Sequence, residues 1–154
     1  MESLSRFASK RGIYLGRRST KVHVALYRRT NGRLGGRFPA FPDARVLLLN
    51  HVGARTGTHR TSPVMYHHDG DAIAIAGSKA GQPTHPAWFH NLKANPDTTI
   101  QIGADLLPVR ARIAADTERN RLWPRFVESF PSYDFYQRNA GNRTIPIVIL
   151  EPRD

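Results

Sequence analysis

Two stretches of the sequence concentrate side chains that can bind an anion. The first runs from residue 51 to residue 66, HVGARTGTHRTSPVMY, directly after an apolar run at residues 46–49. Its arginines carry planar guanidinium groups that suit phosphate or carboxylate. Glycine allows backbone conformations in which successive N–H groups face an anion. The stretch therefore predicts an anion-binding turn, formed by Gly53, Arg55, Thr56, Gly57, Thr58 and Arg60.

The second stretch, AGSKAGQPTHPAWFHN at residues 76–91, has the same chemistry. Ser78 and Lys79 follow a predicted strand, and the loop leads into the N-terminus of a predicted helix, which also favours anions. Trp88 offers a flat apolar surface for a ring. The alternative interpretation is two ordinary basic loops, with Trp88 in the core.

Other kinds of catalytic site have little support. The chain has no cysteine, which excludes disulfides, thiol catalysis and thiolate metal sites, so redox chemistry requires a bound cofactor. His67 and His68 are adjacent on a predicted strand, and His85 and His90 do not share a helix face, so no metal site is predicted. The serines Ser62 and Ser78 lack the elbow motif of a nucleophile.

The formal net charge of +11 predicts an anionic partner. Residues 1–37 are strongly basic, with Glu2 as their single acid. Nucleic acid is one alternative, because Tyr133, Phe135 and Tyr136 could stack on bases, but no nucleic-acid-binding module signature is present. A phosphate- and carboxylate-rich cofactor is the other.

The predicted secondary structure is helix, three strands, helix, two strands, one or two helices, and a final strand. The first helix covers residues 18–29, and residues 30–43 form a loop. The strands cover residues 44–52, 60–68, 71–78, 98–103, 106–114 and 144–152, and a short helix covers 85–96. Asp116 is expected to cap a helix over 116–130 with a kink or break near Trp123, caused by Pro124, and a further helical turn follows at 131–139.

This order predicts an α+β fold. Tight turns join consecutive strands, so parallel βαβ units do not fit, and an antiparallel barrel with flanking helices does. At 154 residues the chain predicts one domain over residues 18–154. Residues 1–17 form either a basic, disordered tail or an ordered segment.

The first helix is predicted to be amphipathic, with a basic face. That face suits a membrane surface with anionic lipid, and the alternative is a helix that packs on the core with solvated arginines. No run of about 18 apolar residues could cross a bilayer. The N-terminal residues lack an apolar signal core. We expect a cytoplasmic protein, with peripheral contact to the cytoplasmic face of the membrane.

Several segments resemble the deazaflavin-dependent nitroreductase family, in its quinone-reductase branch of the split-barrel flavin and deazaflavin oxidoreductases. The matching segments are YRRTNGRLGGRF, LLLNHVGARTGTHRTSPVMY, SKAGQPTHPAWFHNLKANP, WPRFVESFPSYDFYQ and RTIPIVILEP, in the same order and spacing over about residues 20–152. The resemblance implies a split β-barrel, of the flavin-binding split-barrel type, and coenzyme F420. This cofactor is a deazaflavin ring with a phosphodiester and a polyglutamate tail.

The resemblance also implies the cofactor contacts. Arg55, Arg60 and Lys79 would hold the phosphate and tail, and groups near Ser78, Trp88 and Asn91 would bound the ring. Ala54 and Met65 stand where relatives often carry a basic residue and an aromatic residue. The full implied set is Ala54, Arg55, Thr56, Arg60, Thr61, Ser62, Pro63, Val64, Met65, Ala76, Gly77, Ser78, Lys79, Ala87, Trp88, Phe89, His90, Asn91 and Tyr133.

The implied reaction is hydride transfer from reduced F420 to a quinone, with menaquinone as the expected acceptor. Tyr133 is the first candidate to stabilise the developing oxyanion, followed by Ser78 and Tyr136. Some relatives reduce nitro-compounds, but Phe130 replaces a tyrosine hydroxyl in the substrate pocket and argues against bulky ones. An FMN enzyme of the same barrel and a nucleic-acid-binding protein are the alternatives. The protein is expected to be a monomer or a homodimer.

Overall fold

The computed structural model describes residues 17–154, so residues 1–16 of the predicted tail lie outside the described residues. Within that range the chain forms four α-helices and seven β-strands, with one 3-10 turn at Lys79–Gly81. The helices are α1 (Arg17–Thr30), α2 (Ala87–Ala94), α3 (Asp116–Ser129) and α4 (Ser132–Asn139). The strands are β1 (Arg37–Phe38), β2 (Phe41–Val52), β3 (His59–Asp69), β4 (Ala72–Ala76), β5 (Asp97–Ile102), β6 (Asp105–Ile113) and β7 (Ile147–Pro152).

The sheet closes into an antiparallel barrel. The strand order is β1-β2-β3-β4-β7-β6-β5, and a further pairing of β2 with β5 completes the ring. Tight turns at Gly70 and Gly103, both with φ of 60°, join β3 to β4 and β5 to β6. The split-barrel prediction is confirmed, and it brings the start of β3 beside the loop that follows β4.

The continuous apolar run in β2 is explained by burial on both faces of the strand. Leu47 and Leu49 pack inside the barrel, whereas Leu48 packs outside against Val24 and Tyr27 of α1. The Tyr27 hydroxyl donates to the carbonyl of Gln101 at 3.3 Å and accepts from the N–H of Gly103 at 2.9 Å. α1 is thereby fixed against the barrel next to β3.

The helices α3 and α4 cover a second apolar face of the barrel. Leu122 and Phe126 of α3 are fully buried. They pack with Tyr133 of α4 and with Ile147 and Ile149 of β7. This packing places Tyr133 next to the loop after β4.

Three details differ from the prediction. β2 begins at Phe41, and β1 pairs with it, within a segment that was predicted to be loop. The cap of α3 is Ala115, whose N–H donates to Glu118 Oε1 at 3.0 Å, and Asp116 lies in the first turn. The helix continues through Pro124 without a break because buried residues on both sides hold it.

Candidate cofactor site

The β2–β3 turn opens into a cleft of about 990 Å³. The turn and the start of β3 form one wall, and α1 and α2 supply the rest. Arg28 of α1 donates to Thr61 Oγ1 at 3.0 Å and holds that helix beside β3. Among the predicted cofactor contacts, this cleft brings together Ala54, Arg55, Thr56, Arg60, Thr61, Ser62, Ala87, His90 and Asn91.

The charge of this cleft has one sign. Lys21, Arg55 and Arg60 line it, and the described lining contains no Asp or Glu. Within residues 17–154, none of these three cations forms an ion pair or a hydrogen bond. Three unpaired cations on one concave surface attract a multiply charged anion.

The backbone of the turn contributes fewer donors than the sequence predicted. Gly57 has a φ of 67°, a conformation that glycine adopts without strain. Arg55 and Thr56 keep N–H groups without a partner among the described residues. The other amides are occupied: Gly53 N–H by Thr58 O, Ala54 N–H by Asn91 Oδ1, Gly57 N–H by Gly53 O and Thr58 N–H by Thr56 Oγ1.

A second cleft of about 280 Å³ adjoins the first. It has a more aromatic lining, with Phe38, Trp88 and Tyr133, and its described lining also lacks an acid. Ser62 and Thr20 line both clefts and mark their junction. The predicted residues in the second cleft are Ser62, Pro63, Val64, Met65, Ala76, Ser78, Lys79, Trp88 and Tyr133.

Trp88 combines the two interpretations that the sequence left open. It is 7% exposed and belongs to the barrel core, yet it also lines the second cleft. Ala87, its neighbour in the first turn of α2, lines the first cleft. The N-terminus of α2 therefore lies between the two clefts, where its dipole favours an anion.

The predicted donors differ in their access to the second cleft. The Tyr133 hydroxyl has no hydrogen-bond partner in the described part of the chain, and neither has that of Ser78. Burial, with Tyr136 as a further cause, raises the pKa of Tyr133, so its phenol stays protonated. Tyr136 lines neither cleft and packs against the Tyr133 ring at 6.0 Å.

Two other predicted cofactor contacts lie outside both linings. Phe89 is buried in the core at 5% exposure, and its ring packs at a tilt against His85, with 4.4 Å between the ring centroids. Gly77 is buried, and its carbonyl accepts from Arg143 Nη1 at 2.9 Å. Lys79 lines the second cleft rather than the first, and its ammonium donates to Thr84 Oγ1 at 3.0 Å.

Sequence reasoning missed His51, although it continues the inward alternation of Leu47 and Leu49 along β2. His51 is 4% exposed, and its ring contacts Ser62 and Asn91, which both line the first cleft. Burial, with the charge of Arg60 as a second cause, lowers the pKa of His51 to about 4.

Arg143 was also missed, since no local pattern links it to a loop more than sixty residues earlier. Its guanidinium donates to the carbonyls of Gly77, Ser78 and Gln82 at 2.7–3.1 Å, and one of its N–H groups contacts His85 Nδ1 at 3.1 Å. Arg143 holds the loop that carries Ser78 and does not offer its charge to a ligand.

A split barrel in which an acid-free basic cleft opens beside an aromatic cleft defines a class of oxidoreductases that bind an anionic cofactor with a planar ring. The sequence model of the F420H(2)-dependent quinone reductase family matches residues 19–152. The chain belongs to that family.

Individual relatives agree with this assignment. An F420H(2)-dependent quinone reductase of Mycobacterium tuberculosis is 41% identical over 143 residues, which cover 91% of this chain and 94% of the relative. The solved structure of an F420-H2 dependent reductase, FDR-A, matches with a TM-score of 0.63 at 37% identity, over 69% of this chain and 93% of that one. A chain solved as a domain-swapped dimer matches with a TM-score of 0.66 at 32% identity, over 87% of this chain and 96% of that one.

Family membership confirms the predictions of an oxidoreductase and of coenzyme F420 as its cofactor, and the FMN and nucleic-acid alternatives are not supported. The residues present fit this cofactor. A long polyanion matches the three unpaired cations and two open amides of the first cleft. A flat ring matches the aromatic lining of the second.

Proposed function

We propose that this protein reduces a quinone, with reduced F420 as the hydride donor. The observation that carries the proposal is the junction of the two clefts, where unpaired cations give way to an aromatic lining with the free hydroxyl of Tyr133. Bound in this site, reduced F420 supplies the hydride, and a proton completes the hydroquinone.

The cofactor's anionic part is held in the first cleft by Lys21, Arg55 and Arg60 and by the open amides of the turn. Charge-assisted hydrogen bonds from guanidinium groups are about twice as strong as neutral ones. Met65 and Trp88, which line the second cleft, would bound the ring. Tyr133 and Ser78 line the same cleft and would therefore be available to a substrate bound beside the ring.

Tyr133 stabilises negative charge that develops on the quinone oxygen. Its raised pKa keeps the phenol protonated, and its hydroxyl has no competing partner within the described residues. A preorganised donor in a site shielded from water stabilises such charge more than water does. Ser78 supplies a second hydroxyl in the same cleft.

Two measurements test the proposal. Titration with F420, followed by tryptophan fluorescence, is expected to show saturable quenching, because Trp88 lines the second cleft. Oxidation of reduced F420 is then expected to depend on a water-soluble menaquinone analogue. Absence of saturable F420 binding, or binding without quinone-dependent oxidation, would contradict the proposal.

The expected acceptor, menaquinone, resides in lipid, and an apolar surface lies beside the site. Val22 and Leu26 of α1 are 59% and 44% exposed, and they share a groove of about 330 Å³ with Phe38 and Arg37. Phe38 also lines the second cleft. None of the helices in residues 17–154 is long and apolar enough to cross a membrane. We propose that this groove docks peripherally on anionic lipid.

Flotation with phosphatidylglycerol vesicles tests the docking surface. The double variant Val22→Ser/Leu26→Ser is expected to lose most of its vesicle-bound fraction. The matched control is Leu106→Ser/Leu107→Ser, which removes two exposed leucines from β6 that line neither the groove nor the two clefts. Equal partition of both double variants would contradict the proposal.

Phe130 supports quinones over bulky nitro-compounds as acceptors. Its ring packs against Phe38 at 5.7 Å and Phe41 at 5.0 Å, and it offers no hydroxyl beside Tyr133. We expect Phe130→Tyr to raise the rate with nitroaromatic compounds relative to the rate with quinone. An unchanged ratio of the two rates would remove this role.

A further inference from the structure

A buried hydrogen-bond relay connects the strands β2 and β3, the helix α2 and the anion-binding turn. The Asn91 side chain accepts from the N–H of Ala54 at 2.9 Å. Its amide nitrogen lies 2.9 Å from His51 Nδ1, and His51 Nε2 lies 2.9 Å from Ser62 Oγ. Each link therefore depends on the orientation of the one before it.

The Ala54 amide determines the direction of the relay. A backbone N–H can only donate, so the oxygen of Asn91 must face Ala54 and its NH₂ group must face His51. His51 Nδ1 must then be an unprotonated acceptor. The ring carries its proton on Nε2 and donates it to Ser62.

Ser62 receives this hydrogen bond at the junction of the two clefts. Its oxygen is used as an acceptor, so its own hydrogen is available to another group. No other partner for this hydroxyl occurs in the described part of the chain. A serine hydroxyl can donate or accept a hydrogen bond, and the relay makes that of Ser62 a donor toward the clefts.

We infer that His51 is a positioning residue of the cofactor site, which holds Ser62 as a donor at the cleft junction and, through Asn91, fixes the turn at Ala54. This inference rests on the proposed function for the identity of the ligand. His51 itself lines neither cleft and acts only through its two neighbours.

The electrostatic surroundings of His51 support a neutral ring. Burial is the main cause of its lowered pKa, and the charge of Arg60 on β3 lowers it further, so that the pKa of about 4 keeps the ring neutral near pH 7. Protonation of Nδ1 would set two donors against each other at Asn91. The side-chain amide of Asn91 could not rotate by 180° to accept from His51 without losing its hydrogen bond from Ala54.

The first experiment needs no cofactor. Long-range ¹H–¹⁵N correlation spectra of the full chain report the tautomer of each histidine. His51 is expected to show a protonated Nε2 and an unprotonated Nδ1 throughout the neutral range. A protonated Nδ1 on His51, or titration near the ordinary histidine pKa, would overturn the relay.

The second experiment measures F420 affinity by calorimetry in His51→Phe, Ser62→Ala and the double variant. Loss of one neutral hydrogen bond predicts an affinity about three- to tenfold weaker for each single variant. Because His51 acts through Ser62, the double variant is expected to lose less than the product of the two effects. His51→Gln, which retains a donor, is expected to bind more tightly than His51→Phe.

A matched control, His68→Phe, removes an imidazole that lines a separate cavity. The inference is overturned when folded His51→Phe binds F420 as tightly as the wild type, or when the two losses multiply fully. If the wild type itself fails to bind F420, the proposed function fails, and the spectra together with the Ala54 amide shift in His51→Phe still decide whether the relay exists.

Discussion

At the scale of single residues, the unpaired state of the cleft cations is the property that matters most. Elsewhere arginines use the few available acids: Arg110 pairs with Asp97, Arg112 with Glu118 and Glu151, and Arg121 with Asp69. These pairs lie away from both clefts. Because no acid is among the described residues that line the first cleft, its positive charge is not neutralised and remains available for a ligand.

Substitution of Arg60 tests this distribution of charge. Arg60→Ala removes a charge-assisted contact, and we expect F420 affinity to fall by about 1.5–3 kcal/mol, which is about tenfold or more. Calorimetric titration measures the effect. The control Arg110→Ala removes the same charge from β6 and is expected to leave affinity within about twofold, a tolerance of under 1 kcal/mol. Equal losses in both variants would indicate a general charge effect rather than a cleft contact.

Substitution of Tyr133 is expected to change the rate of turnover more than the affinity for the cofactor. Tyr133→Phe removes the unpartnered hydroxyl but keeps the ring that packs with Phe126 and Phe130. We expect kcat to fall by up to about 10²-fold, which is the effect of removing one oxyanion donor. The affinity for F420 is expected to stay nearly unchanged. Tyr136→Phe is expected to have a smaller effect because Tyr136 lines neither cleft. An unchanged kcat in Tyr133→Phe would dismiss the donor role.

At the scale of elements, the loop after β4 is the part of the site most dependent on distant packing. Lys79, Ala80 and Gly81 have φ values of 47°, 52° and 77° in succession. A non-glycine residue in this region carries strain that surrounding contacts must hold. Arg143, which precedes β7, supplies those contacts through three carbonyls of the loop.

Arg143→Lys is expected to release this loop. A lysine cannot reproduce five planar donors, so carbonyls of the loop lose their partners. We expect a free energy of unfolding lower by about 2 kcal/mol or more and a weaker affinity for F420. Urea denaturation and calorimetry measure the two effects. Arg138→Lys, an exposed residue of α4, is the control, and equal stability of the two variants would contradict the role of Arg143.

At the scale of the whole molecule, histidines whose pKa is lowered by burial make stability depend on pH. The pKa of His51 falls from the ordinary 6.5 to about 4, and burial also lowers that of His67. The unfolded chain therefore binds protons in this window that the folded chain does not. The free energy of unfolding must fall as the pH drops from 6.5 toward 4, and it is unaffected by these groups above that window.

We expect a loss of about 3 kcal/mol from His51 over this window. Urea denaturation at several pH values measures it, and His51→Phe is expected to flatten the slope. The paired acids Asp69, Asp97 and Glu118 reduce the stability of the protein only at lower pH. Hydrogen bonds from arginines hold their pKa values below the ordinary values, which are 3.8 for Asp and 4.5 for Glu. The same slope in the wild type and in His51→Phe would contradict the prediction.

Local patterns in the sequence were enough for the order of the elements. Tight turns between apolar runs indicated antiparallel pairing, and the spacing of apolar residues indicated the helices, because both signals arise from neighbours within a few positions. The same holds for the two basic, glycine-containing stretches that form the clefts. Pro124 does not break α3, because tertiary packing by Leu122 and Phe126 outweighs a local helix-breaking preference.

The amino-acid sequence by itself determined which chemical groups this protein can offer: guanidinium cations, hydroxyl donors, an aromatic surface and no thiol. Only the tertiary structure decided which of these groups converge. It left Arg55 and Arg60 unpaired, placed Lys79 in the other cleft, and withdrew Phe89 into the core. It also placed His51 and Arg143 where they hold other residues of the site in position. The physical reason is that barrel closure joins β2, β3, α2 and the segment before β7, and such long-range contacts leave no periodic trace along the chain.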